Sequence, residues 1–257
     1  MNLLARAWDE AAEGYEAYFV PRFAPWVAAA VEAVPPLPDG PVLVPCCGTF
    51  PEAAPLLSRL GRREVVGIDL SPGMVRLARA RVAGLAGVRV EVGDAAEPAG
   101  WADRCAGVVS VFGLQQLPAP DEAIATWVRA LAPGGWLSVA FWPEVSEEDG
   151  PFALMRRVLD AMGGARSDRA WEGRLVEAIA GAGGEVVRDE FPAFAMEHRG
   201  AAECFTAYAD SGPLRASALA KGPEFIERVK ADFLAAAPEG PWRHTPRARL
   251  LVARRAR

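Results

Sequence analysis

The chain has 257 residues, of which 51% are hydrophobic and 24% charged, with a formal net charge of −5. That balance suits one globular α/β domain with a full core and excludes disordered and fibrous classes. The acidic sign gives no general attraction to nucleic acid or anionic lipid, and no apolar run reaches the length of a membrane span or a secretory leader.

Residues 1–34 read as helical, with Pro25 placed as the first-turn residue of PWVAAAVEAV. The stretch PPLPDG at 35–40 breaks the pattern. PVLVP at 41–45 is a short apolar run bounded by prolines, as expected of a central parallel strand buried on both faces. A tight turn and a short helix ending at Gly61 follow. EVVGIDL at 64–70 reads as a second buried strand, and Ser71-Pro72 as a helix start, with serine as N-cap and proline at the first helical position. VRVEV at 88–92 alternates, as a half-exposed strand does. GVVSVF at 107–112 is a fourth strand. A helix then carries Ile124, Trp127, Val128 and Leu131 on one face. Pro133-Gly134-Gly135 reads as a turn, and WLSVAFW at 136–142 as a fifth strand.

Five alternations of strand and helix predict a parallel sheet with helices on both faces. Ligands of such sheets bind at the carboxyl ends of the strands. From 150 onward the pattern loosens. Helices are predicted in FALMRRVLDAM, WEGRLVEAIAGAG, AAECFTAYA and PEFIERVKADFLAAA. A strand in EVVRDEFPAFAME is predicted to break or bulge at Pro192, and RARLLVARR to close the sheet.

Three sites stand at strand ends. Small residues at 46–49 let the backbone approach a nucleotide. Asp69, 21 residues after Gly48, is placed to accept both ribose hydroxyls, or else to serve the backbone of Ser71. Asp94, between Gly93 and Ala95, is placed to meet an exocyclic amine, or else forms a turn. Cys46, Cys47, Cys105 and Cys204 form no CxxC or zinc pattern, so reduced thiols, a cytoplasmic setting and no metal site are expected.

Taken in order, these pieces resemble the class I S-adenosylmethionine-dependent methyltransferases of the small-molecule UbiE/MenG-like type. VLVPCCGTF is similar to the family's first glycine-rich motif. GIDLSPGM is similar to the acidic second motif, and VGDAAEP to the adenine-contacting third. SVFGLQQLP and LAPGGWL resemble the segments around strands four and five, and WDEAAEGYEAY resembles the aromatic lid. The resemblance implies a Rossmann-like, doubly wound, mostly parallel seven-stranded sheet with helices on both faces, in a single domain. A helical lid would span 1–34, a cofactor core 41–143, and a substrate cap with closing strands 150–257.

It also implies S-adenosyl-L-methionine as cofactor. Cys46, Cys47, Gly48 and Thr49 would line its methionine part, and Asp69 would hold the ribose. Leu70 and Met74 would pack near the adenine, whose edge would meet Asp94 and Ala95. Phe112 would border the sulfonium, and Tyr15 and Tyr18 would close the lid. Catalytic candidates are His198, Tyr15 and Gln115, with His244 a lesser one. Trp142, Phe152, Tyr208 and Arg215 are candidates to shape the pocket. The expected partner is a small-molecule methyl acceptor, without nucleic acid or membrane. The absence of GxGxxG argues against a dinucleotide dehydrogenase.

The first motif departs from the family. Its acidic position holds Val44, and of its three glycines only Gly48 remains. Cys46 and Phe50 put side chains where the backbone should come close, and Glu52 or loop carbonyls are left to hold the cofactor's ammonium. The altered turn keeps an alternative open: a methyltransferase-fold protein with non-methylating chemistry or a ligand-binding role.

Overall fold

The computed structural model describes residues 3–98, 100–101, 103–163 and 168–256. The chain divides into two compact units. A sheet unit comprises Ala24–Pro143, Arg169–Pro192 and Ala248–Arg257, and a helical unit comprises Met1–Phe23, Glu144–Asp168 and Ala193–Arg247. Residues 24–34, 169–192 and 248–257 fall with the sheet.

The sheet unit holds β1 (Val42–Pro45), β2 (Val65–Asp69), β3 (Val88–Val92), β4 (Cys105–Val111), β5 (Leu131–Phe141), β6 (Gly184–Glu190) and β9 (Arg249–Arg255). Their order is β3-β2-β1-β4-β5-β9-β6. The first five pair in parallel, and β9 runs antiparallel to both β5 and β6. This is the mostly parallel seven-stranded Rossmann-like sheet that the sequence implied.

Side chains alternate between its faces. Leu43, Val66, Val108, Leu137 and Phe141 pack with Ile124 and Trp127 of α4 (Pro120–Ala130) and Leu175 and Ile179 of α6 (Trp171–Gly181). Val42, Val44, Val65 and Val109 pack with Leu56 of α2 (Ala53–Leu60), Val75 and Ala78 of α3 (Pro72–Val82) and Val31 of α1 (Leu3–Glu32). Strand order reverses between β1 and β4, which marks the crevice where such sheets bind ligands. There the β1–β4 pairing stops after Leu43 and Val108. Pro45 carries no N–H, and the Ser110 hydroxyl donates to its carbonyl at 2.9 Å.

In the helical unit, α5 (Pro151–Ala161), α7 (Ala201–Ala209), α8 (Gly212–Lys221) and α9 (Pro223–Ala236) enclose Leu154, Val158, Phe205, Leu214, Val229 and Phe233. A two-stranded antiparallel sheet joins β7 (Met196–His198) to β8 (Trp242–His244). Among the described residues no helix is long and apolar enough to cross a membrane.

Two expectations change, at Pro25 and at the start of β5. Pro25 starts no helix: α1 runs unbroken through Pro21 and Pro25. Two bonds to the carbonyls of Ala17 and Pro21 are lost, and burial of Phe19, Phe23, Trp26 and Val27 on either side offsets them. β5 begins at Leu131 rather than Trp136, and the expected turn is a bulge within it, with Gly134 at φ 76°. The break expected at Pro192 is present, with β6 before it and β7 after it in different sheets. β8, only three residues long, carries no alternation to read.

Candidate functional site

The loop after β1 keeps a glycine conformation without the glycines. Cys46, Gly48 and Phe50 take φ of 54°, 53° and 62°. These are the three glycine positions of the motif that the loop resembles. Left-handed backbone at a non-glycine residue costs roughly 1–2 kcal/mol, so the surroundings must impose it. They do so with hydrogen bonds at every step. Cys47 N–H donates to Ile68 O at 3.0 Å, Phe50 N–H to Cys47 O at 2.7 Å, and Arg81 Nε to Thr49 O at 2.8 Å. Phe50 corrects the expectation of added bulk, because its ring is fully buried under β2. A Cβ on Gly67 would lie 2.9 Å from Phe50 Cε1. Cys46 lies against the residue after Phe112: a Cβ on Gly113 would fall 2.2 Å from Cys46 Cβ. Burial first, then nearby carboxylates, hold both thiols well above their ordinary value, which favours the protonated thiol.

Asp69 serves the backbone of Ser71, one of its two sequence readings, and that of Gly48 as well. Its Oδ2 accepts Gly48 N–H at 2.8 Å, and its Oδ1 accepts Ser71 N–H at 2.9 Å. The carboxylate therefore ties the first motif to the start of α3, and each oxygen keeps a lone pair for a further donor. Burial raises this carboxyl above its usual value, against the pull of the Ser71, Gly48 and Leu70 N–H groups. Ser71 caps α3 as predicted, its hydroxyl accepting Met74 N–H at 3.1 Å, and Met74 itself is buried. Leu70 and Val92, at the ends of β2 and β3, are exposed apolar side chains, which suit the face of a flat ring. Asp94 is exposed and forms the turn weighed for it, Oδ1 accepting Ala96 N–H. Ala95 is buried, and its carbonyl accepts Trp127 Nε1–H at 2.7 Å.

Beyond β4, Phe112 sits at φ 60°. Its ring stacks on Trp142 with centroids 4.2 Å apart, and Trp26 meets both rings edge-on. Gln115 Nε2 donates to Phe112 O at 2.7 Å, while its Oε1 is buried without a partner. Thr49 Oγ1 and Glu52 Oε2 are buried and unpartnered as well, among the described residues. Burial pushes the Glu52 carboxyl up to about 8, with its own N–H and Arg81 opposing. Val44 lies fully inside the sheet core. Three orphaned polar atoms, a carboxylate clamp and two exposed apolar side chains fit a ligand with an ammonium, a ribose and a purine.

The helical unit gathers a second group. Tyr18 Oη lies 2.5 Å from His198 Nδ1, and His198 Nε2 lies 2.9 Å from His244 Nε2. His244 Nδ1 is 2.6 Å from Glu147 Oε2, and Glu147 Oε1 accepts Phe152 N–H at 2.7 Å and Ala153 N–H at 3.3 Å. Burial lowers His198 to about 4, helped by His244 and Arg22. Phe152 meets His244 edge-on at 5.2 Å and Tyr208 at 5.9 Å. The Tyr208 hydroxyl is buried and unpartnered among the described residues. Tyr15 stands in an aromatic cluster with Trp8, Phe19 and Phe23, and Arg215 pairs with Glu10. Sequence reading missed Glu147; its one signal is an acidic residue just ahead of the helix start Gly150-Pro151.

Strand order, the left-handed loop and the carboxylate after β2 define a methyltransferase-type Rossmann-like fold. Residues 42–135 match the family model of the methyltransferase domain. The chain is 30% identical over 152 residues to a ubiquinone/menaquinone biosynthesis C-methyltransferase of Syntrophotalea carbinolica, covering 56% of this chain and 63% of the relative. It is 35% identical over 106 residues to a trans-aconitate 2-methyltransferase of Sinorhizobium fredii, covering 41% and 40%. The chain thus spans about half the length of these relatives. Its fold is similar to that of geranyl diphosphate methyltransferase solved in complex with SAM, with a TM-score of 0.56 and 14% identity, over 91% of this chain and 85% of the other.

Proposed function

We propose that the chain is an S-adenosylmethionine-dependent methyltransferase acting on a small-molecule acceptor. The single observation that carries this reading is the first-motif loop. It holds three left-handed positions and is tied by Gly48 to Asp69, although two of its glycines are gone. Asp69 would receive the ribose hydroxyls, Leu70 and Val92 would flank the purine, and Asp94 with Ala95 would meet its edge. Cys46, Cys47 and Thr49 would line the methionine part. Glu52 takes the place of the missing acidic residue at Val44, its free oxygen receiving the ammonium. Phe112, Trp26 and Trp142 form an aromatic wall suited to a sulfonium cation.

When bound, S-adenosylmethionine supplies an electrophilic methyl group. The protein's part is to hold donor and acceptor in line at close range and to keep water out. The relatives' names point to small metabolites as acceptors, and four free cysteines accord with a cytoplasmic setting.

The test is calorimetric binding of S-adenosylmethionine and S-adenosylhomocysteine, with Asp69→Ala alongside. Micromolar binding that the variant loses is the expected result. No binding up to millimolar ligand overturns the reading and leaves a fold relative with another ligand.

A further inference from the structure

We infer that Tyr18, His198, His244 and Glu147 form a proton relay that takes the proton of a hydroxyl-bearing methyl acceptor at Tyr18 and stores it on Glu147. The inference rests on the methyltransferase reading for its substrate, and on the helical unit alone for its geometry.

The N-terminus of α5 favours the charged carboxylate, and one direction of the bonds goes with it. Phe152 and Ala153 donate their N–H groups to Glu147 Oε1, which leaves Oε2 as acceptor for His244 Nδ1–H. His244 Nε2 is then bare and accepts from His198 Nε2–H. His198 Nδ1 is bare in turn and accepts from the Tyr18 hydroxyl. Three hydrogen bonds thus hold three protons, and the set carries one negative charge.

The same three bonds can be read in reverse. Then Glu147 is a carboxylic acid donating to His244 Nδ1, His244 Nε2–H donates to His198, and His198 Nδ1–H donates to the Tyr18 oxygen. That arrangement holds one more proton, and both imidazoles have exchanged tautomer without becoming charged. The mouth of the relay is half-exposed Tyr18, whereas His198, His244 and Glu147 are buried.

The transfer balances. The acceptor oxygen keeps the electron pair of its O–H bond and forms a bond to the methyl carbon. The S–C bond of the donor breaks, its pair staying on sulfur. The acceptor proton passes to Tyr18 as the Tyr18 proton passes to His198, and two further shifts bring a proton to Glu147. The positive charge of the sulfonium and the negative charge of the relay disappear together.

The surroundings favour the neutral forms of Tyr18 and His198. Tyr18 is held above its usual value by burial first, with Cys204 and Glu203 adding to it and Arg22 and Arg199 opposing. His198 faces His244, Arg22 and Glu203. Gly150 makes room for the terminus: a Cβ there would lie 2.5 Å from Glu147 Oε1. The Tyr208 hydroxyl is buried and unpartnered among the described residues, and its ring packs with Phe19 and Phe152. A base is needed only where the nucleophile carries a proton of high pKa. The acceptor class is therefore a phenol or enol on an apolar body, rather than a carboxylate. Tyr18 is the catalytic residue; His198, His244 and Glu147 are positioning residues.

The test starts with ¹⁵N NMR of the two histidines in the full chain without ligand. The expected pattern at neutral pH is Nε2–H for His198 and Nδ1–H for His244. Glu147→Gln should alter the tautomer of His198 as well as that of His244, and Tyr18→Phe should alter that of His198. Two histidines that titrate independently near 6.5, or a Glu147→Gln effect confined to His244, overturn the relay. A panel of phenolic acceptors then reads its use. Tyr18→Phe should lower kcat about 100-fold or more at neutral pH, with recovery as pH rises and the acceptor ionises by itself. An unchanged pH profile overturns the role in catalysis. If S-adenosylhomocysteine fails to bind while the histidines remain coupled, the methyltransferase reading has failed and the relay stands.

Discussion

Glu52→Gln isolates the cost of burying a carboxyl beside the first-motif loop. In the folded protein this group is pushed from 4.5 to about 8 by burial. Between those values the folded state keeps the proton and the unfolded state has lost it. Stability contributed by the protonated form is therefore complete below about 4.5 and declines as pH rises through 8. At about 1.4 kcal/mol per pH unit, the window is worth roughly 3–5 kcal/mol. Glutamine has nearly the same shape and does not titrate. Urea unfolding of both proteins from pH 4.5 to 9, followed by tryptophan fluorescence, should give equal stability at the acid end. The variant should lead by roughly 3–5 kcal/mol at the alkaline end. Parallel curves across the range would refute the buried, unpaired carboxyl. The same variant should bind S-adenosylhomocysteine more weakly, and should abolish the proton release that accompanies wild-type binding near pH 7.

Cys46→Gly should leave urea stability within about 1 kcal/mol of wild type or above it, since relief of left-handed strain offsets the added freedom of the unfolded chain. Phe50→Gly, at the same kind of backbone position, should cost about 3–5 kcal/mol in the same assay, because the ring fills the core under Gly67. Asp69→Ala strips the acceptor from the Gly48 and Ser71 N–H groups and should weaken S-adenosylhomocysteine binding at least about tenfold by calorimetry. His198 is held near 4 when folded and returns to 6.5 when unfolded, so its contribution is present above 6.5 and is lost as pH falls toward 4. Acid unfolding of His198→Gln should lack that limb.

The sheet unit was legible because its signals are local. Ser71-Pro72 states a helix start in two residues, Gly61 states a helix end, and PVLVP states a buried strand; all three stand where they were read. The loop between them was legible in position and not in conformation. A left-handed Cys46 or Phe50 runs against its own preference, and bonds to Ile68, Asp69 and Arg81, with the buried Phe50 ring, hold the loop that contains them. The helical unit was less legible. Its polar chain joins residues 180, 46 and 97 positions apart. Its last member, Glu147, lies in an acidic stretch that reads equally well as a solvated turn. The long α1 was obscured by Pro21 and Pro25, where burial on both sides overrides the residues' own tendency.

Phe50 has one more consequence, for motion. Its ring is anchored beneath β2, so the segment from Cys46 to Phe50 has no low-energy way to peel from the sheet by itself. The amides of Cys47 and Phe50 should therefore exchange with solvent deuterium only when the whole sheet opens. A loop locked in this way stands ready in the absence of ligand, and little ordering entropy is left to be lost when one arrives.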